Sequence, residues 1–302
     1  MARDELLKKG WRRHSVVSLS KESIDSLAAE LPQKAIDKLS IEGAIVLIAL
    51  YDCAVVHGSF DQEPWVQLLI AVPVVFQKQL SKGRDARRLH FYATKNGQEH
   101  SFEINACSIC QVGREFLLQL NVDEFCNVDD AAKFDLKQWL AERYRQDTWP
   151  DAFNTAVSKR SKKLKKFYER YNDFVSGLYL KLDSYRELTE GKYTVAIIVA
   201  IEAGKERQLF LHMREILQDQ KGKSMDELKS HFANEVLNAF GDVVIFQKDR
   251  TNTVHSVAIE VMEENQITLH HQRTFSRFSP YSLSEYGTDA PVPTEMISGR
   301  VH

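Results

Sequence analysis

The chain has 302 residues, with 40 Lys+Arg against 42 Asp+Glu and a formal net charge of −2. Hydrophobic residues at 43% and charged residues at 27% exclude a disordered chain, and 13 Gly with 7 Pro exclude collagen-like and low-complexity designs. At roughly 100–200 residues per domain, the length suggests two domains, each able to bury a core.

The N-terminal MARDELLKKGWRRHS has no apolar stretch behind its charges and does not read as a signal peptide. The most apolar run, Ile45 to Val56, is interrupted by Asp52 and falls short of the roughly 20 residues of a spanning helix. Cys53, Cys107, Cys110 and Cys126 are too few for a disulfide scaffold in a chain this long. The expectation is a cytoplasmic protein with reduced thiols and no membrane contact.

Ser20 followed by KESIDSLAAEL predicts an N-capped helix that Pro32 helps to end. Ala44–Tyr51 predicts a buried strand, and Trp65–Phe76 a second with Pro73 at an edge or bulge. Leu89–Thr94 and Ser101–Ile104 flank Asn96-Gly97, a strong hairpin signal. Gln111–Asn121 reads as another strand, bent at Gly113. After Cys126, Lys133–Tyr144 takes a helical period, and Thr148 to Gly177 predicts one long amphipathic helix. Leu178–Leu182 and Tyr193–Ile201 form a strand pair joined through Glu190-Gly191. Arg207–Leu217 fits helix better than strand. Ser224 and Glu227 have capping-box spacing at the head of a helix that Gly241 ends, and Asp242–Gln247 and Val254–Met262 follow as strands. The expected fold class is α+β. A mostly-β domain with a leading helix spans 1–130, a helical connector spans 131–176, and a sandwich-like α+β domain spans 177–302.

Two regions carry candidate chemistry. Asp52, Cys53, His57, Asp61 and Glu63 crowd the connection between two apolar strands, where sites are commonly built. Asp52 and Glu63 would hold Mg²⁺ or Mn²⁺, with Asp61 as a further ligand and His57 as general base. The competing reading is a solvated turn with Cys53 buried as a small hydrophobe. The second region is basic: from Val157 to Arg170 there are seven Lys/Arg and one acid. Lys159, Arg160, Lys162, Lys163, Lys165 and Lys166 share the outer side of a helix, a pattern that suits a phosphate backbone of DNA or RNA as well as a plain solvated face. Arg84, Arg87 and Arg88 with Lys82 make a second cluster, and Lys8, Lys9, Arg12 and Arg13 a third. Cys107-Ser-Ile-Cys110 has half a zinc spacing without a second pair, Arg207 and His212 echo a ribonuclease pattern, and Glu190-Gly191-Lys192 is the nearest approach to a nuclease E-x-K. No resident cofactor is expected outside the metal reading.

The segments GWRRHS (10–15), IVLIALYDCAVVHGSFDQEPWVQLLIA (45–71), WLAERYRQDTWPDAFN (139–154) and RFSPYSLS (277–284) together resemble a family of bacterial proteins of about this size whose activity is not established. Members carry an acid where this chain has Ala54, so the resemblance matches at Asp52, Cys53, Glu63 and Pro64 but weakens a two-carboxylate scheme. The resemblance implies an accessory component of a mobile element or phage-defence system. The reading preferred from sequence is therefore a binding protein, nucleic-acid-associated or adaptor-like, with a partner protein encoded nearby. The alternatives are the metal-dependent hydrolase or nuclease, and a protein–protein module anchored by Trp139, Tyr144 and Trp149.

Overall fold

The computed structural model describes residues 2–28, 30–145, 149–186, 193–218, 222–241, 244–246 and 259–280. The fold is mixed α+β and divides into two compact units, Met1–Tyr144 and Arg145–His302.

The first unit is built on a six-stranded antiparallel sheet in the order β1-β2-β3-β5-β4-β6. These strands are β1 (Val16–Val17), β2 (Ile45–Ile48), β3 (Trp65–Pro73), β4 (Arg88–Lys95), β5 (Gln98–Gly113) and β6 (Cys126–Asn127). Strand alternation explains why β2 and β3 are continuously apolar. Val46, Ile48, Leu68 and Ile70 enter a core with Leu6, Trp11 and Leu27, while Ile45, Leu47, Leu69 and Ala71 enter a second core with Leu136 and Trp139. The first core is covered by α1 (Ala2–Lys8), α2 (Lys21–Leu27) and α3 (Gln33–Leu39), and the second by α5 (Asp130–Arg145). Between β2 and β3 lies α4 (Asp52–Val55), a single turn.

The β4–β5 hairpin turns on Asn96 (φ 53°) and Gly97 (φ 77°), the pair of positive φ values that Asn-Gly supplies at low steric cost. Two expectations are corrected here. Pro32 does not only end α2; it is the N-cap of α3, since a proline has no N–H to leave unsatisfied. Gln111–Asn121 is not a separate strand: β5 runs on to Gly113, and 114–119 coils into a 3₁₀ turn.

The second unit carries β7 (Val175–Leu182), β8 (Tyr193–Ile201), β9 (Val244–Phe246), β10 (Ile259–Glu263) and β11 (Ser276–Phe278) in a mixed sheet. β7 pairs antiparallel with β8 and β11, whereas β9 and β10 both pair parallel to β8. Helices α6 (Asp151–Ser158), α7 (Ser161–Tyr171), α8 (Glu206–Ile216) and α9 (Met225–Phe240) share one apolar core with this sheet, and a short α10 (Leu269–Thr274) precedes β11. The capping box at Ser224 and Glu227 forms as expected. The residues 190–192, 247–258 and 281–284, on which the E-x-K, the late strand start and part of the fourth resembling segment fall, lie outside the described residues.

The single long helix expected over 148–177 is two helices, and Gly177 belongs to β7 rather than to a helix end. Arg160 (φ −103°, ψ 2°) donates its N–H to Val157 O three residues back, so the i→i−4 ladder stops there. Phe153 and Val157 before the break, and Leu164, Phe167, Tyr168 and Tyr171 after it, all reach the same core. Tyr168 ties α7 to the sheet by accepting the Leu178 N–H at 3.1 Å.

Gly241 ends α9 at φ 67°, ψ −146°, a region open essentially only to glycine, and a Cβ there would stand 2.6 Å from Arg160 Cζ. Gly241→Ala is expected to cost the second unit about 2–3 kcal/mol in urea unfolding. Adding Arg160→Ala should not restore it, because the guanidinium can move aside and the backbone cannot.

Candidate functional site

The 52–63 connection is not a loose loop. Arg114, fully buried where β5 turns into the 3₁₀ segment, holds it from within. Its Nε donates to Glu63 O (2.6 Å), Nη1 to Val55 O (3.0 Å) and His57 O (2.9 Å), and Nη2 to Ser59 O (2.7 Å). Its backbone N–H donates to Pro64 O at 2.7 Å, and the Phe60 ring covers the guanidinium at 4.5 Å. Burial pulls the Arg114 pKa down and the Glu63 charge offsets part of that. Nothing in the sequence around Arg114 marks it as the anchor; only the antiparallel pairing of β3 and β5 brings it under the loop.

The flanking strands do pair as a hairpin, Ile45 with Ala71 through Ile48 with Leu68. The four expected catalytic residues nonetheless take separate partners. Asp52 Oδ1 accepts the Arg13 backbone N–H at 2.7 Å. Glu63 Oε1 accepts from the Tyr51 hydroxyl at 2.6 Å, which raises the tyrosine pKa. His57 Nδ1 accepts the Ser59 N–H at 3.2 Å within its own turn. Asp61 borders a groove of about 580 Å³ with Glu30, Glu115 and the exposed Trp65. Among the described residues, no group of three or more His, Cys, Asp or Glu is arranged to hold a metal ion. Ala54 is buried and faces the core.

Cys53 is exposed rather than buried, because it sits on the outer side of the one-turn α4. Cys107 lies where β5 loses register with β3, and burial pushes the thiols of Cys110 and Cys126 up to about 11. Arg207 and His212 are in α8, where the His212 ring stacks near Phe174 and Tyr171.

The GWRRHS segment, noted above for its basic residues and for the resemblance, is joined to this loop. In GWRRHS, Ser15 donates its N–H to Arg12 O and Arg12 donates its N–H to Ser15 Oγ, closing a turn with His14 at φ 61°. That position of a turn ordinarily takes glycine or asparagine. The turn is bound to the end of β2 by His14 N–H to Ile48 O (2.8 Å), Ile48 N–H to Ser15 O (3.1 Å) and Arg13 Nε to Leu50 O (3.3 Å). The His14 side chain is buried, and burial together with the Arg13, Lys133 and Lys137 charges, against Asp52, pulls its imidazole down to about 4.

The basic clusters divide between the units. On α7 and the two residues before it, Lys159, Lys162, Lys163 and Lys166 are exposed and make no ion pair among the described residues, while Arg160 and Lys165 are half-buried. Arg170 pairs with Glu235 at 3.2 Å. In the first unit Arg84 is a correction. It is buried and donates Nη1 to Lys78 O at 3.0 Å, so it offers no surface to a ligand. Arg88 is half-buried at the head of β4, and Arg87 is the exposed member. Lys9 donates to Leu118 O and Leu120 O. The aromatics expected as anchors are also differently placed: Trp139 is buried, with Nε1 donating to Asp85 O at 2.8 Å, and Trp149 stacks on Tyr185. The Tyr144 side chain lies outside the described residues.

Comparison with protein-family models, with curated proteins and with solved structures returns no match. No described helix is long and apolar enough to cross a membrane.

Two outcomes follow from this geometry. Arg114→Leu leaves four carbonyls without their donor, that of buried Val55 and those of half-buried His57, Ser59 and Glu63, and is expected to destabilise the first unit by about 3–5 kcal/mol, with faster proteolysis within 52–63. Arg114→Lys should recover only part, since an ammonium lacks the planar fork. For His14, the unfolded chain binds a proton near pH 6.5 and the folded one only near 4. Stability is therefore unaffected above about 6.5, falls as pH drops towards 4 and levels off below it. His14→Asn, which tolerates positive φ, should flatten that part of the urea-stability profile relative to the parent chain.

Proposed function

We propose that the chain is a binding protein whose second unit contacts the phosphate backbone of nucleic acid through Lys159, Lys162, Lys163 and Lys166. The observation that supports this is the division of α7. Leu164, Phe167, Tyr168 and Tyr171 are buried in the core, while the opposite side presents lysines with no carboxylate partner among the described residues. Unpaired ammonium groups on a rigid, core-anchored helix gain from displacing condensed counterions, and a phosphate backbone supplies the repeating negative charge they lack. Beside them a groove of about 350 Å³ is bordered by Lys163, Lys166, Phe167, Arg170, Glu235 and Asn238, which offers an aromatic edge and an amide next to the charges. Arg160 and Lys165 stand at the margins of this face. Of the first unit's cluster, Arg87 alone is exposed.

The setting, a bacterial mobile-element or phage-defence system with a partner protein encoded nearby, rests on the resemblance of 10–15, 45–71 and 139–154. The hydrolase reading loses support because Asp52 and Glu63 are each satisfied by a different neighbour. The protein-anchor reading loses it because Trp139 and Trp149 are packed into the fold.

Mobility shift with DNA and RNA at several salt concentrations tests the proposal. If four lysines each neutralise one duplex phosphate, log affinity falls against log salt with a slope of roughly −3 to −4. Lys162→Ala, Lys163→Ala and Lys166→Ala combined should make that slope shallower by roughly 2 to 3 units. Absence of any shift at low salt, or a slope unchanged in the triple variant, would remove the reading.

A further inference from the structure

The GWRRHS turn borders a pocket of about 240 Å³ in the first unit. Arg13 and His14 line it from the turn, Tyr51 and Gln67 from the β2–β3 end, and Lys137 and Leu140 from α5. Three features set it apart from an ordinary surface hollow. His14 is more than nine-tenths buried and forms part of the pocket wall. Arg13 uses Nε on Leu50 O, and its remaining guanidinium donors have no carboxylate partner there. Lys137 forms no ion pair among the described residues and lies 5.1 Å from the Phe134 ring centroid. The acids nearby are already engaged. Asp52 accepts the Arg13 backbone N–H, Glu63 accepts from Tyr51, and Asp130 pairs with Lys133 at 3.3 Å. The αL backbone at His14 adds a held, unfavourable conformation to the same spot.

We propose that this pocket binds the head of a phosphate monoester. No carboxylate bonds the Arg13 guanidinium or the Lys137 ammonium among the described residues, and a phosphate monoester, doubly charged above its second pKa near 6, can engage both where a carboxylate supplies one charge. The guanidinium fork bonds two phosphate oxygens in its plane, the ammonium serves as a point charge on a third, and a neutral imidazole donates one N–H. The volume is below that which encloses a drug-sized ligand, so the phosphate enters and most of what carries it stays outside. Leu140, Leu50 and the two alanines, Ala49 and Ala141, give the first carbon atoms beyond the ester oxygen an apolar wall. The proposal uses no residue of the second unit, so it stands or fails separately from the lysine face.

The test is an NMR titration of the full chain, following the His14 imidazole at fixed ionic strength set with sodium chloride. The probes are inorganic phosphate, phenyl phosphate, and a 5′-phosphorylated oligonucleotide against its 5′-hydroxyl counterpart. A saturable shift with phosphate or phenyl phosphate is expected. It should weaken about tenfold or more in Arg13→Gln and in Lys137→Gln, the loss of one charge-assisted bond, and stay unchanged in Lys34→Gln, an exposed position on α3. Lys137 is exposed on α5, so its variant keeps the fold and its outcome decides. Saturation by the 5′-phosphorylated strand alone would assign the phosphate to a strand end, and saturation by phenyl phosphate to a small ester. No saturable shift with any phosphate probe at millimolar concentration, or affinity unchanged in Lys137→Gln, would overturn the proposal.

Discussion

The first unit depends on one cation solvated by carbonyls. Arg114 is fully buried and, among the described residues, no carboxylate hydrogen-bonds it; four main-chain oxygens of the 52–63 connection take its donors. A one-turn helix such as α4 is too short to hold itself, because the cost of nucleation is spread over too few bonds. Its last carbonyls are the acceptors a helix end leaves unpaired, and a cation there also suits the helix dipole. The guanidinium thus takes over the role that continued secondary structure would have. A connection rich in Asp, Gly and Ser becomes rigid without a metal, and its carboxylates are left to organise what lies around it.

One of those carboxylate contacts runs from Asp52 to the backbone of Arg13. It joins two segments far apart in sequence at one end of the β2–β3 hairpin. The sheet geometry makes this end a natural meeting place. With one face packed on the N-terminal helices and the other on α5, both cores terminate together there, and α5 brings Lys137 and Leu140 alongside the turn. Trp139, pointing from the same helix into the core, fixes α5 through its bond to Asp85 O. The polar residues of three segments therefore converge because their apolar neighbours are committed to two opposite faces of one sheet.

Local signals were readable from the sequence where a single element decided its own form. The Asn96-Gly97 turn, the Ser224–Glu227 capping box and the buried strand at Ile45–Ile48 each follow from a few residues in a row. What escaped was set by distant partners. Apolar spacing from Phe153 to Val175 is the same for one helix or two, and the break at Arg160 depends on how both halves meet the sheet. The 52–63 cluster looked like a ligand set because composition shows which oxygens exist but not whether a tyrosine hydroxyl or an amide already occupies them. Arg114 and His14 went unnoticed for the same reason: neither has a local pattern, and both acquire their role through strand pairing and burial.

The two units hold positive charge in physically different ways, and the difference bears on what each can recognise. The lysines on and before α7 stand in solvent, where ions screen charges beyond about 8–10 Å and attraction is long-ranged, unspecific and sensitive to salt. Arg13 and His14 are held at a strained turn against the protein interior, where water is scarce and fields are stronger over short distances. Exposed charge favours a polymer whose many phosphates interchange. Charge fixed beside a buried ring favours a single group of defined shape, since only a ligand that brings its own acceptors into place can replace the water the pocket gives up.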